Sequence, residues 1–295
     1  MDQDIRVIKA DTGLNTLHRK RRIFSRTLIY GFLTLVAITA FVPFYTMVVS
    51  SAHDNFSITT QINLLPGDQF IINYERLTEN LNIWRGFLNS LFISVSGTVL
   101  SLYFTALAGY AISKFRFVGR NLLFSIILVA MMIPGQVGVI GFFKQMSDMR
   151  LLNSYLPLIL PSIAGCFGVF FFKQYLDGSL PNELLESAYM DGCGELGMYH
   201  KIVLPIMAPA LVTQGVLTFI GSWNGYMMPL IILKETKKMT LPVLIASIKS
   251  KSGFSADFGA QYVGILISVI PLAIIFAISS KLIMDKISIG AALKE

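Results

Sequence analysis

Six stretches of this chain hold no Asp, Glu, Lys or Arg: residues 27–52, 86–113, 121–143, 151–172, 202–233 and 258–280. Each is at least 22 residues long, and a helix needs about 20 largely apolar residues to cross the hydrocarbon core of a bilayer. No other uncharged run in the sequence reaches the ~18 residues at which a span comes into question. The gaps explain why charged residues make up only 14% of the 295, against roughly a quarter in soluble domains. A soluble enzyme, a secreted disulfide scaffold and a disordered chain are excluded. The sequence reads as an all-α integral membrane protein with six transmembrane helices, at about 27–52, 86–113, 121–143, 155–176, 203–230 and 260–283. Residues 1–26 and 284–295 are its tails.

An even number of spans places both termini on one side, and basic residues choose the side. The first apolar window is too long for a signal-peptide core and should remain as helix 1. The run His18-Arg19-Lys20-Arg21-Arg22, with Arg26, abuts it. Lysine and arginine accumulate on cytoplasmic flanks, so both termini are expected in the cytoplasm of a bacterial inner membrane. The net charge of +7 is then accounted for by orientation and anionic lipid rather than nucleic acid. Segment 53–85, polar and turn-prone at Leu65-Pro66-Gly67-Asp68, and segment 234–257, with Lys249–Gly253, fall outside.

One cytoplasmic segment runs against the charge rule. Residues 173–201 carry Asp177, Glu183, Glu186, Asp191 and Glu195 against Lys173 and Lys201. Within it Ser179 is a candidate N-cap, Pro181 suits a first helical turn, and Glu183 and Glu186 favour a helix N-terminus. Leu184, Leu185, Ala188 and Tyr189 form one apolar face, and Gly192 and Gly194 break the helix. A second short helix from Glu195 leads into Ile202-Val203-Leu204-Pro205 at the start of helix 5. Two short helices joined by a glycine turn outside the membrane form an element built to be gripped by another protein.

Glu186-Ser187-Ala188, three residues, Gly192, nine residues, Ile202, one residue, Leu204-Pro205 resembles the EAA loop of ABC-importer permeases, whose pattern is E-A-A, x3, G, x9, I-x-L-P. Ser187 departs from the alanine at the second position of that pattern, one small residue for another. Trp223-Asn224 before Pro229-Leu230, the Leu241-Pro242 segment and the tail Ile289-Gly290-Ala291-Ala292-Leu293-Lys294 look like the maltose-type, carbohydrate-uptake branch. The likeness covers most of the chain from about Leu28 onward. It implies a cytoplasmic two-helix coupling loop, 179–205, between helices 4 and 5. It also implies a second permease subunit, two ATPase subunits docked on such loops, and an extracellular solute-binding protein that delivers carbohydrate. Glu186, Ser187, Ala188, Asp191, Gly192, Ile202, Leu204 and Pro205 are then the coupling residues. Alternatives are a permease for a non-sugar solute and a secondary transporter.

No cofactor is expected in the chain itself. It lacks any Gly-Lys dipeptide and so any P-loop, which leaves ATP and Mg to the partner ATPases and gives the chain no enzyme activity of its own. Gly192-Cys193-Gly194-Glu195-Leu196-Gly197 matches G-x-G-x-x-G, but a dinucleotide fingerprint must follow a strand, and here a charged helical segment precedes it. His18, His53 and His200 are scattered and do not suggest a metal. The uncharged windows argue against ion coupling. Trp223, Asn224 and Tyr226, late in helix 5, are substrate-pathway candidates with a competing role as interfacial aromatics and interhelical contacts. Thr213 and Gln214 are pathway candidates because unpaired polarity facing lipid is costly.

Overall fold

The computed structural model describes the backbone of residues 2–79, 81–248 and 256–292, and the side chains of residues 25–79, 81–248 and 256–281. The side chains of the 18–22 basic cluster, the Lys249–Gly253 segment and most of the C-terminal tail motif lie outside these. The described residues are helices joined by short connections: α1 (Asp2–Ser51), α2 (Asn55–Thr60), α3 (Phe70–Glu79), α4 (Ile83–Lys114), α5 (Arg120–Met132), α6 (Val139–Asp148), α7 (Leu156–Ile159) and α8 (Cys166–Ser179). There follow α9 (Asn182–Met190), α10 (Glu195–Ile206), α11 (Ala208–Trp223), α12 (Met227–Ile232), α13 (Leu241–Ser247) and α14 (Phe258–Ala292).

Among the described residues, four helices are long and apolar enough to cross a membrane: Ser25–Ser51, Ile83–Lys114, Leu156–Ser179 and Phe258–Lys281. Two bent pairs, Arg120–Met132 with Gly135–Asp148 at 89° and Glu195–Ile206 with Ala208–Trp223 at 79°, raise the number to as many as six. The third and fifth apolar windows are therefore not straight rods. Ile133 precedes Pro134 and takes extended backbone (ψ 120°), because the ring of a following proline disfavours helical geometry. A 3₁₀ turn at Gly135–Gly138 then redirects the chain into α6. In the fifth window Pro209 stands in the first turn of α11; without an N–H it cannot bond back to residue 205, which favours the bend where α10 gives way to α11. Within the expected span at 203–230 the helix axis turns at Met207, and α11 ends at Trp223, before a second break at Asn224–Tyr226. The fourth window also opens irregularly, as α7, a 3₁₀ turn at Leu160–Ala164 and Gly165 ahead of α8.

α4 occupies the centre, with α8 on one side and α11 on the other. Its approach to α8 is set by glycine. A Cβ at Gly109 would lie 2.9 Å from Phe172 Cβ, and one at Gly168 would lie 2.8 Å from Thr105 Oγ1. Small residues that let backbones close up are how helices pack where lipid offers no hydrophobic contrast. Among the described residues two large apolar cores result, beside a smaller one of Met146, Ile232 and Leu233. At one end Tyr110, Phe172, Leu176, Tyr199, Val203 and Met207 join α4, α8 and α10. At the opposite end Leu77, Phe219, Trp223, Leu244 and Val263 join α3, α11, α13 and α14.

The end bearing α3 is closed by a polar knot. Asn73 donates to the carbonyls of Ser51 at 2.8 Å and His53 at 2.9 Å, and its amide oxygen accepts from Arg76. Arg76 in turn pairs with the buried Asp257 carboxylate at 3.3 Å, and that carboxylate accepts from the Ala260 amide at 3.2 Å. The polar segment after α1 is thus an ordered cap tied to the first turn of α14.

Candidate functional site: an exposed two-helix element

α9 and α10 project from the end of the bundle opposite that cap, and α4 supplies their footing. Lys114 Nζ donates to the Leu180 carbonyl at 2.5 Å and to Asn182 Oδ1 at 3.3 Å. Ser113 Oγ donates to Asp177 at 2.6 Å, and Lys173 pairs with the same carboxylate at 2.6 Å. The last turns of α4 and α8 are clasped where α9 begins. α8 runs through Ser179, whose hydroxyl bonds back to the Tyr175 carbonyl at 2.7 Å. Ser179 therefore closes α8 and does not cap α9; Pro181, with ψ 144°, holds the N-cap position.

The turn between α9 and α10 depends on one glycine. Gly192 has φ +77°, its amide donates to the Tyr189 carbonyl at 3.0 Å, and the Cys193 amide donates to the Ala188 carbonyl at 3.0 Å. Those two bonds are the Schellman closure of a helix, which requires a left-handed residue just past its end. Gly194 differs: its φ is −72°, open to most side chains. Glu195 then opens α10, where its charge faces the positive end of the backbone dipole.

α10 is one rod with a π-helical turn at Tyr199–Val203. Ile202, Leu204 and Pro205 lie on this rod ahead of the bend at Met207, on the first arm of the bent pair α10–α11. The π turn directs Tyr199 inward. It is fully buried, donates from its hydroxyl to the Tyr103 carbonyl of α4 at 2.8 Å, and lies against Tyr103 and Tyr110 with ring centroids 5.8 and 6.0 Å away. His200 Nδ1 reaches the Leu196 carbonyl at 2.7 Å, so Nδ1 carries the proton, and Nε2 accepts from the Tyr103 hydroxyl at 3.2 Å.

The exposed face of the element is not quite the one periodicity selected. Ala188 is buried against its own chain, whereas Leu184, Tyr189, Met190 and Leu196 are 42%, 67%, 85% and 63% exposed. Glu186, Ser187 and Asp191 are exposed; the Ser187 hydroxyl is returned to the Glu183 carbonyl at 2.8 Å. Beside them is an open groove of about 460 Å³ between α4, α9 and α10, lined by Tyr110, Lys114, Leu185, Glu186, Met190 and Met198 among others. Met190, Leu196, Tyr103 and Lys114 were not legible as participants. They belong to other segments, or to no motif.

The pathway candidates separate. Trp223 is 1% exposed, donates from its indole to the Ser268 carbonyl at 3.0 Å and stacks on Phe219 with centroids 5.7 Å apart. It is a core residue, because only a buried site gives an indole this much apolar contact with a partner for its N–H. Gln214 is likewise buried and donates to Thr218 Oγ1 at 3.3 Å. Thr213 is exposed but bonds its own helix at Pro209, 3.0 Å away. Asn224 and Tyr226 are exposed at the break after α11.

A bundle of apolar helices, several of them long enough to cross a bilayer, with an exposed, glycine-hinged helix pair at one end is the architecture of a membrane-embedded protein. The comparisons agree. Residues 97–289 match the family described as "Binding-protein-dependent transport system inner membrane component", and the chain belongs to that family, the permease subunits of ABC importers. It is 32% identical to the arabinooligosaccharides transport system permease protein of Halalkalibacterium halodurans, over 91% of this chain and 96% of that one. It is 27% identical to the diacetylchitobiose uptake system permease protein of Streptomyces coelicolor, over 88% and 87%. Among solved structures, a bacterial ABC transporter that imports the acidic polysaccharide alginate superposes with a TM-score of 0.73 at 26% identity, covering 86% of this chain and 96% of that one.

Proposed function

We propose that this permease passes a carbohydrate across the bacterial inner membrane, six helices crossing it and both termini in the cytoplasm, with α9 and α10 coupling it to ATP hydrolysis by partner subunits. The observation that carries the reading is the docked-and-hinged geometry of residues 182–206. An exposed helix, closed by a left-handed glycine at φ +77°, continues into a rod that meets α11 at 79°. The eight motif residues occupy this element, and Leu184, Tyr189, Met190 and Leu196 give it an apolar surface. A protein that grips α9 and moves it would push on α10, and through Met207 on α11. The carbohydrate assignment rests on relatives whose names specify arabinooligosaccharides and diacetylchitobiose.

In this reading a second, different permease chain completes the pathway. Two ATPase subunits supply ATP and Mg sites that this chain does not need, and an extracellular binding protein delivers solute. The test is reconstitution in proteoliposomes. The purified chain alone should hydrolyse no ATP. With the second permease, ATPase and binding protein added, ATP-dependent oligosaccharide uptake should appear. Hydrolysis by the contaminant-free chain, or no uptake of any carbohydrate by the complete set, would remove the reading.

A further inference from the structure

The segment that follows α1 folds back down the helix it has just left. The Gln69 amide donates to the Ala52 carbonyl at 3.0 Å, so the chain between them starts and finishes at the outer end of α1. In the middle of that stretch the Leu64 carbonyl accepts from the Tyr45 hydroxyl at 2.5 Å. Tyr45 stands seven residues before Ala52, about 10 Å along a helix axis. Helical side chains lean toward the N-terminus, which here is the deeper direction. The loop therefore descends about 10 Å beside α1 before it returns.

Its residues suit that depth. Residues 55–67 hold no charged side chain, and Asp54 and Asp68 stand just outside them. Phe56, Ile62, Leu64 and Leu65 are 67%, 92%, 69% and 75% exposed, a cluster of uncovered large apolar groups that marks a contact surface. Asn63 turns the other way and donates to the Ser57 carbonyl at 3.0 Å, in the alternation of extended backbone. Other carbonyls are served in the same manner: Thr59 donates to Asn55 at 2.9 Å and Thr60 to Phe56 at 2.7 Å. Water would bond such groups unaided, whereas beside acyl chains each needs a partner from the protein.

The apolar window of α1, residues 27–52, is about 39 Å long, against a hydrocarbon core of about 30 Å. Centred on the core, it overhangs each face by about 4–5 Å, and a descent of about 10 Å brings Leu64 just past the boundary between headgroups and acyl chains. Interfacial elements bury apolar side chains about 5–10 Å into this boundary. A protein arriving from the water would meet the cap at Asp68, above the loop. A neighbouring subunit can cover one side of α1, yet α1 is exposed on every face from Ser25 to Thr46. Lipid meets the remainder, and the loop continues that surface.

We propose that residues 55–65 form an anchor in the outer leaflet, with Ile62, Leu64 and Leu65 inserted at the base of the lipid headgroups and Tyr45 pinning the loop to α1. The inference rests on the orientation proposed above, which decides the leaflet. It gives the cap a fixed height over the bilayer.

The test uses the assembled importer in vesicles of phosphatidylethanolamine and phosphatidylglycerol. Its native cysteines, Cys166 and Cys193 among them, are replaced by serine, and a nitroxide is attached at Ile62→Cys, Leu65→Cys or Asp68→Cys. Collisions with oxygen, which concentrates in lipid, are compared with collisions with a water-soluble nickel chelate. The labels at 62 and 65 should favour oxygen several-fold more than the label at 68, whether or not binding protein is present. Tyr45→Phe should move the label at 65 toward the chelate, and an unchanged ratio overturns the role of Tyr45. Labels at 62 and 65 that favour the chelate place the loop in water and overturn the anchor. Labels that neither probe reaches place it against the second permease, and labels shielded only by bound binding protein place it in that interface; either result overturns the anchor too. Sugar uptake by the labelled importer separates these failures from that of the reading beneath: lipid-facing labels in a complex that carries no carbohydrate would fell the transport assignment and leave the anchor standing.

Discussion

Replacing Gly192 isolates one physical quantity. A Cβ built there meets nothing within 4 Å, so substitution adds no clash inside the chain, and the cost comes from φ +77° alone. For a β-branched residue the left-handed conformation costs on the order of 1–2 kcal/mol. That shifts the population of the closed turn by a factor of roughly 5–30, because the two hydrogen bonds that close α9 form only in that conformation. Asparagine tolerates the left-handed region far better, and Gly194, at φ −72°, offers a position two residues away with no such demand.

The expected order is therefore specific. Gly192→Val should lower coupled uptake by about 5–30-fold, Gly192→Asn should retain most of it, and Gly194→Ala should behave as wild type. All three should insert at normal levels, because the exposed turn contributes to neither apolar core. The assay is oligosaccharide uptake together with ATP hydrolysis stimulated by loaded binding protein, in proteoliposomes, with expression measured in parallel. Equal activity of the Val and Asn variants, at wild-type level or at none, would refute the reasoning, since only φ distinguishes the prediction.

Arg76→Ala strands the buried Asp257 carboxylate; breaking such a pair costs about 3 kcal/mol, near the low end of the usual range because Arg76 is partly exposed, and thermal unfolding in detergent should fall accordingly. Trp223→Phe removes the indole bond to Ser268 and should destabilise by about 1–2 kcal/mol with no change in which sugars are transported; altered selectivity would return Trp223 to the pathway. Tyr199→Phe deletes the hydroxyl bond to the Tyr103 carbonyl, about 1 kcal/mol, and should raise ATP hydrolysed per sugar imported; an unchanged ratio means the contact only supports the fold. A cysteine at Asn63 should react with an impermeant reagent in intact cells and one at Asn182 should not, and the reverse pattern would invert the topology.

The number of apolar segments was legible because charge is scarce and its gaps have sharp edges. What escaped was their shape. Pro134 and Pro209 each stand inside an apolar window, and hydropathy counts a proline as one more uncharged residue whether the helix breaks beside it or runs on through it, as at Pro43 and Pro271. Gly192 was readable because a glycine after an amphipathic turn has one common use. Ala188 shows the limit of periodicity: i, i+4 spacing identifies an apolar face but not which neighbour covers it, and α9 lays that residue against its own chain. Tyr103 and Tyr199 meet across 96 residues of sequence, a pairing that no local pattern encodes. Trp223 illustrates how residue type misleads, since an aromatic beside an amide serves a sugar site and a helix interface equally well.

The two ends of the molecule are joined by a short mechanical route. α10 and α11 meet at the fully buried Met207, where Pro209 removes one of the bonds that would join them. On the proposed coupling, the bend of 79° would turn a push on α10 into tilt or translation of α11, whose far end carries Gly221 and Ser222. The pin at Tyr199 matters to this geometry. Without the bond to α4, α10 could swing about the bend and leave α11 where it stands; with it, α10 and the central helix must move together. Packed interiors respond to such loads by switching between discrete arrangements rather than by stretching. If α9 and α10 couple the permease to its ATPase, as proposed, the bend at Met207 is the joint through which that motion would reach α11.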